Sequence, residues 1–502
     1  MEKGHIKRCI NGAMMGLFTG DALGVPVEFL ERAALIKTPV SQMVGFGTHN
    51  QPAGTWSDDT SLNLCLMDSL ALVNNLDYRD IMERFMQWCQ DGRYSPGGFA
   101  FDVGRTTSES LQRFSAGTPP LECGGVSENN NGNGSLMRVL PIAFHLAMRF
   151  GLHIDRSDAM EVIHNISSLT HRHKRCHIAC GIYVLIAVEL IRGEEKRTAV
   201  RNGFQKAMNY YSQQENYLEE LSLFSRLPLD DLCSLDTDSI KSSGYVIHTL
   251  EAALWCFITT NNYKECVLKA VNLGDDTDTT GAVAGGLAGL YYGLESIPKE
   301  WLDALVEKEY LEDLCNLFGD ALYQQYTGFE NVLKYLPYFE TSSIEVHWTK
   351  PELIEEDSDP GPEPRGQEVP IDTPANITED QALDDPMADQ VLIYEDQVLI
   401  HEDQVLILET PEYPETFEAF VQAFYNSALP VADYPAYLSG KIPEGTELAA
   451  AIADMDLDTL KALLTKYIRQ ERFDPGSWAI SIQSKIFLQI LTRLQHLTAL
   501  IA

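Results

Sequence analysis

The run Gly281–Gly293, GAVAGGLAGLYYG, constrains the fold of this chain more than any other segment. Each glycine costs a helix interior about 1 kcal/mol relative to alanine, so alone in water this stretch would be a poor helix. It makes sense as a central helix that other helices approach closely. Directly before it stands Gly274-Asp275-Asp276-Thr277-Asp278-Thr279-Thr280. A buried helix that opens on three carboxylates is strongly unfavourable unless something compensates the charge.

The same chemistry occurs more than two hundred residues earlier, in Gly54-Thr55-Trp56-Ser57-Asp58-Asp59-Thr60. That motif precedes an amphipathic stretch with Leu62, Leu66 and Leu70 on one face. Carboxylates at a helix start are held by free backbone N–H groups and the helix dipole, and their other oxygens remain available. A single motif of this kind is ordinarily a cap. The hydroxyl and carboxylates of Ser57, Asp58 and Asp59 also suit a hard cation that takes oxygen ligands, namely Mg²⁺, Mn²⁺ or Ca²⁺. Neither cluster has Cys or His at zinc-like spacing. From spacing alone, two helix caps and a two-metal site both stay open.

The rest of the chain reads as mostly helical. Apolar residues recur at intervals of three and four in Ile81, Phe85, Trp88 and in Val246, Leu250, Leu254. Convincing alternating strands are absent. Gly-rich turns fall at Ser95–Gly98 and Asn129–Gly134. Three regions are expected: one large, mostly helical domain over residues 1–340, a linker over 341–412, and a small helical accessory domain over 413–502. The linker is Pro-rich and acidic, which favours an extended, solvated chain. It carries DQVLI three times at a period of seven, at Asp389–Ile393, Asp396–Ile400 and Asp403–Ile407. Three consecutive branched apolar residues per unit do not make a coiled-coil seam, so a tandem expansion with strand character is the expectation. In the last region Asp456 or Asp458 caps a helix through Leu460, Leu463, Leu464 and Ile468, and a final amphipathic helix runs from about Trp478 through Leu494.

The net charge of −36 argues against nonspecific nucleic-acid binding and against an anionic membrane surface. About half of it lies between Pro351 and Glu412, with 19 acidic residues and one arginine. The ten cysteines form no C-x-x-C pair and read as scattered reduced thiols of a cytoplasmic protein. The N-terminus fails as a signal peptide, since its apolar stretch is interrupted by Gly20 and Asp21. No apolar run reaches the ~18–20 residues of a membrane span. The longest, Ile182–Ile191, contains Glu189 and reads as a buried helix.

Five segments, in order, carry a resemblance to a known family. They are Gly16–Glu28 (GLFTGDALGVPVE), Trp56–Thr60 (WSDDT), Phe101–Gly104 (FDVG), Gly132–Arg138 (GNGSLMR) and Leu273–Thr279 (LGDDTDT). Thr170-His171 and Gly244-Tyr245 match more weakly. Over residues 10–325 the chain resembles the ADP-ribosylglycohydrolases. The resemblance implies an all-α, compact orthogonal helical domain with a binuclear Mg²⁺ or Mn²⁺ centre. It implies Ser57, Asp58, Asp59, Asp276, Asp278 and Thr279 as metal ligands. It gives Glu28 the general acid/base role and puts Asp102 near metal and substrate. Asn133, Gly134 and Ser135 would meet the diphosphate, with His171 and Tyr245 lining the ADP-ribose pocket. Ser57 stands where many members have Thr, and Asp275 where many have a second Gly; neither departure removes a ligand. The nearby His173 and His177 are expected to be solvated helix residues.

The expected activity is therefore hydrolysis of the ribosyl bond of an ADP-ribosylated protein, most simply on arginine, with release of ADP-ribose. A different class of function is a binding protein, for instance one that grips and neutralises an ADP-ribosylating toxin, with the C-terminal domain contacting a protein partner. Small-molecule or nucleic-acid conjugates of ADP-ribose are a third substrate class.

Overall fold

The structure is a computed structural model. It describes residues 2–73, 76–150, 154–327, 329–341, 347–349, 398–401, 404–407, 410–427, 429–431, 434–442 and 447–501.

Two antiparallel helices form the centre, Lys3–Gly24 and the glycine-rich Thr277–Tyr292. They touch backbone to backbone. A Cβ on Gly12, Gly16 or Gly20 would lie 2.4, 2.5 or 2.2 Å from the carbonyl oxygen of Gly289, Gly285 or Gly281. The reverse holds from the other helix, where a Cβ on Gly285 would lie 2.4 Å from Gly16 O. The glycine run thus accepts a poor helix propensity in exchange for close approach, and the partner supplies matching glycines every four residues. Tyr263 Oη donates to Gly16 O (2.7 Å) and Tyr183 Oη to Val283 O (3.0 Å), pinning the neighbouring helices to this pair.

Around the centre pack Asp58–Leu72, Leu140–Phe150, Lys174–Ile191, Val246–Thr259, Tyr263–Val271 and Lys308–Thr327. The all-α expectation holds for this region. Lys174–Ile191 is buried along nearly its whole length, with Glu189 held by Lys206 Nζ at 2.8 Å. That burial corrects the expectation of solvated His173 and His177: both are buried. His173 caps this helix by accepting from Arg175 N (3.2 Å). His177 stacks on His164 at 4.9 Å and hydrogen-bonds Ser168 and Tyr217. Among the described residues no helix is long and apolar enough to cross a membrane.

The C-terminal helices Glu415–Tyr425, Leu457–Gln470, Ser477–Gln483 and Ile486–Ile501 pack against the first region. Phe339, on the short helix Leu336–Thr341, meets the rings of Phe417, Phe420 and Phe487 at 4.9–6.1 Å. Arg149, from Leu140–Phe150, reaches Asp458 at 2.8 Å and Asp456 at 3.3 Å. Asp456 is the helix cap, accepting from Thr459 N at 2.8 Å, while Asp458 serves the ion pair. Between the helical regions lie two short antiparallel ribbons, Val398–His401 with Gln404–Ile407 and His347–Thr349 with Thr410–Glu412. The first ribbon falls in the second and third DQVLI units; the first unit lies outside the described residues.

Candidate metal centre

Both acidic motifs are built against the C-terminal end of helix Lys3–Gly24. Asp21, on that helix, accepts from Ser57 N (3.0 Å), Thr60 N (3.0 Å) and Thr60 Oγ1 (2.5 Å). It thereby fixes the first turn of Asp58–Leu72. One turn on, Gly24 O accepts from Thr277 Oγ1 at 2.8 Å, and a Cβ on Gly24 would lie 2.3 Å from Asp278 Cα. The two motifs then meet directly: Thr279 Oγ1 donates to Asp59 Oδ2 at 3.3 Å. Ser57 Oγ donates to the same oxygen and also accepts from Asp59 N, both at 3.3 Å. Ser57 is therefore a helix cap as well as a candidate ligand.

Glu28, Asp276 and Asp278 bring carboxylate oxygens within 4.8 Å of one another, and so do Glu28 and Asp102 with a ring nitrogen of His49. This gathering is electrostatically hostile. Burial first, and neighbouring carboxylates second, push Asp58, Asp59 and Asp278 well above the ordinary carboxylate range. Burial raises Asp276 and Asp102 as well. It lifts Glu28 to about 7 and Asp21 to about 6, against the hydrogen bonds each accepts.

Three oxygens test what the cluster is built for. Asp59 Oδ1, Asp276 Oδ1 and Asp278 Oδ2 are buried with no hydrogen-bond partner. Buried polar atoms are nearly always paired, and three unpaired carboxylate oxygens in one cluster fit divalent cations. Every donor of the six residues Ser57, Asp58, Asp59, Asp276, Asp278 and Thr279 is oxygen, the set hard cations take.

The remaining expected residues surround the cluster. Asn133 Nδ2 donates to Asp276 Oδ2 (2.8 Å) and Thr249 Oγ1 (2.9 Å), so this side chain braces the second motif. Asp102 sits in a loop at φ 54°, two residues before Gly104, which caps the helix Arg105–Ser115. Ser135 is fully buried and accepts from Ser167 Oγ at 2.9 Å. His171, 2% exposed, has its ring against Gly134, where a Cβ would lie 2.7 Å from Cε1. Burial drops its pKa to about 3, which keeps the imidazole neutral. Ser135 and His171 thus support the turn from behind. Tyr245 is half-buried and bridges to Gly132, with Asn133 N bonded to Gly244 O (3.1 Å) and Val246 N to Asn131 O (3.0 Å).

Two residues of the site went unassigned in the sequence: Asp21 and His49. Asp21 had a signal, as a carboxylate inside an apolar, small-residue run. His49 had none, because only a non-local loop brings it to Glu28. The Asp275 departure also finds its place. Asp275 takes φ 58°, in the left-handed region that glycine favours and aspartate tolerates. Its backbone pairs with the stretch after Glu28, Phe29 N donating to Asp275 O (2.6 Å) and Asp275 N to Leu30 O (2.9 Å).

The family model described as ADP-ribosylglycohydrolase matches residues 3–328. A model of a family of unknown function matches residues 391–499. The chain is 33% identical over 304 residues to ADP-ribosylarginine hydrolase Tri1 of Serratia proteamaculans, covering 61% of this chain and 77% of that one. It is 30% identical over 306 residues to ADP-ribosyl-[dinitrogen reductase] glycohydrolase of Rhodospirillum rubrum, covering 59% and 91%. A solved structure titled ADP-ribosylglycohydrolase-related protein complex superposes with a TM-score of 0.52 at 31% identity, covering 64% of this chain and 99% of that one. With the matched region spanning well over half its length and holding the whole carboxylate cluster, this chain belongs to the ADP-ribosylglycohydrolase family of glycosidic-bond hydrolases.

Proposed function

We propose that the chain hydrolyses the ribosyl bond of ADP-ribosyl-arginine on a modified protein, with two Mg²⁺ or Mn²⁺ ions held by Ser57, Asp58, Asp59, Asp276, Asp278 and Thr279. The observation that carries this reading is the set of partnerless buried oxygens on Asp59, Asp276 and Asp278 beside Glu28. The arginine linkage is supported by the relatives named ADP-ribosylarginine hydrolase. Bound there, the ions would orient ribose hydroxyls, polarise the reacting centre and ease deprotonation of a water.

The protein's own groups supply the rest. Glu28 moves the proton, accepting it from water or giving it to the leaving nitrogen. A carboxyl lifted to about 7 populates both states near neutral pH, as a general acid/base needs. Asp102 stands across from it and orients the substrate. In the turn Asn133–Ser135, whose Asn133 N–H is taken by Gly244 O, Gly134 and Ser135 offer backbone N–H groups to the diphosphate, and neutral His171 holds the turn in shape. Tyr245 lines the pocket beside that turn. The chemistry belongs to residues 1–340, with 341–412 as linker and 413–502 as an accessory helical unit. Ten free cysteines support a reducing, cytoplasmic setting.

A substrate panel tests the reading. Arginine-, serine- and nucleobase-linked ADP-ribose are each incubated with the protein and Mn²⁺, and free ADP-ribose is measured. Release from the arginine conjugate alone is expected. Preference for another linkage would overturn the substrate assignment and leave the hydrolase chemistry standing.

A further inference from the structure

Glu28 belongs to no helix or strand. It follows the short turn Val25–Val27, and a single loop grips it from outside. Residues 46–51 fold back on themselves, with Phe46 N donating to Gln51 O. Thr48 Oγ1 donates to Glu28 O at 2.7 Å, and His49 Nε2 bonds Glu28 Oε2. Gly47 presses on the turn so closely that a Cβ would lie 1.9 Å from Pro26 O. Backbone and carboxylate of Glu28 are therefore held by adjacent residues of one loop.

That loop is strained. Phe46 and Asn50 take φ 71° and 51°, and Phe29, beside Glu28, takes 64°. Asn tolerates that region, but for the two phenylalanines such a conformation is costly and persists only where the surroundings impose it. Burial does not repay Phe46 or Phe29, which are 63% and 64% exposed. What the loop secures is the His49 ring, its side chain 15% exposed, with Phe29 and Phe101 at 6.0 and 5.4 Å fixing its orientation. Gln51 Nε2 holds the His49 carbonyl at 3.2 Å.

We propose that His49 is a positioning residue for hydrolysis: its Nε2–H donates to Glu28 Oε2 and fixes the rotation of that carboxyl beside Asp276 and Asp278. The inference rests on Glu28 being the proton-transfer group. Misplacing a reacting group by about 1 Å can cost on the order of 10² in rate, so the loop's strain has a return in turnover.

The test compares His49→Phe, which keeps the ring and loses the donor, with His49→Gln, which keeps an N–H donor, each in the wild-type and Glu28→Gln backgrounds. On ADP-ribosyl-arginine with Mn²⁺, His49→Phe should lower kcat by roughly 10- to 100-fold with KM within about twofold. His49→Gln should regain most of that loss. In the Glu28→Gln background His49→Phe should cost nothing further, because its partner is already disabled. An equal loss in both backgrounds, or failure of His49→Gln to recover kcat while its melting temperature matches wild type, would overturn the proposal. If Glu28→Gln alone keeps full turnover, the proton-transfer reading of Glu28 falls and the positioning role of His49 falls with it.

Discussion

The molecule buries two groups of carboxylates and treats them oppositely. At the contact between Leu140–Phe150 and the C-terminal helices, Asp456 and Asp458 face Arg149, so the chain supplies its own cation. At the centre, Asp58, Asp59, Asp276 and Asp278 crowd together, and no Lys or Arg forms an ion pair with them among the described residues; one oxygen each of Asp59, Asp276 and Asp278 lacks a hydrogen-bond partner, as does Asp458 Oδ1 in the other group, so the contrast lies in the missing cation. Burying a charge is costly in either place. The difference is where compensation comes from. An internal pair fixes two helices and changes nothing else. An uncompensated cluster stores a demand for positive charge that an external ion can meet, and that demand is the basis of the site.

The largest expected effect is at the uncompensated cluster. Asp59→Ala removes the carboxylate that touches both motifs through Thr279 and Ser57. Turnover on ADP-ribosyl-arginine should fall by a factor on the order of 10³, the rate equivalent of several kcal/mol of lost charge stabilisation. Melting of the chelated protein should be unchanged or rise slightly, since one like charge has gone. A variant with normal kcat would dissolve the distinction between the two groups.

Arg149→Met should do the reverse. It strands Asp456 and Asp458 and should destabilise the fold by about 3–5 kcal/mol, read from urea unfolding. Turnover per folded molecule should stay within about threefold. Adding Asp458→Asn should return part of the stability, and no return would mean that the ion pair is not what Arg149 contributes.

A smaller effect tests the scaffold that both groups lean on. Gly16→Ala drives a methyl to 2.5 Å from Gly285 O. Separation of the central helices should cost about 1–3 kcal/mol. Asp21 and Gly24 lie one and two turns further along the same helix, so Mn²⁺ affinity should weaken with it.

The smallest effect is in pH. Asp58, Asp59 and Asp278 have folded-state pKa values raised above their unfolded values. Such groups stabilise the fold fully below the unfolded value of about 4, and the contribution is lost as pH rises through the folded values. The chelated protein should therefore melt at progressively lower temperature as pH rises above the ordinary carboxylate value of about 4. Saturating Mn²⁺, which favours the ionised form, should flatten that slope. An equal slope with and without metal would place the ionised carboxylates somewhere other than at the ions.

Much of this was legible in the sequence, for physical reasons specific to each segment. A glycine run is so poor a helix alone that only close packing explains it, and the carboxylates opening it could not be buried unaided. The partner glycines at Gly12, Gly16 and Gly20 carry the same message at lower density, one per helical turn, and are visible mainly in hindsight. His49 was illegible because its role comes from a loop whose strain has no periodic signature. A histidine near a helix start reads as solvated, and the burial of His173 and His177 follows from the burial of Lys174–Ile191 on all sides, which is a tertiary fact. The C-terminal helices were legible as helices, but their contact through Arg149 and Phe339 joins residues about 80 to 310 apart in sequence, which local pattern does not encode.

The most direct test of the central claim is turnover before and after metal removal. Protein stripped with a chelator and desalted is assayed on ADP-ribosyl-arginine, then reassayed with Mn²⁺ restored, while calorimetry counts the ions bound. An uncompensated carboxylate cluster predicts loss of turnover on stripping, recovery on addition, and two ions per chain in wild type, with weakened binding in Asp59→Ala. Full turnover by the stripped protein, or tight Mn²⁺ binding that survives Asp59→Ala and Asp276→Ala together, would contradict it.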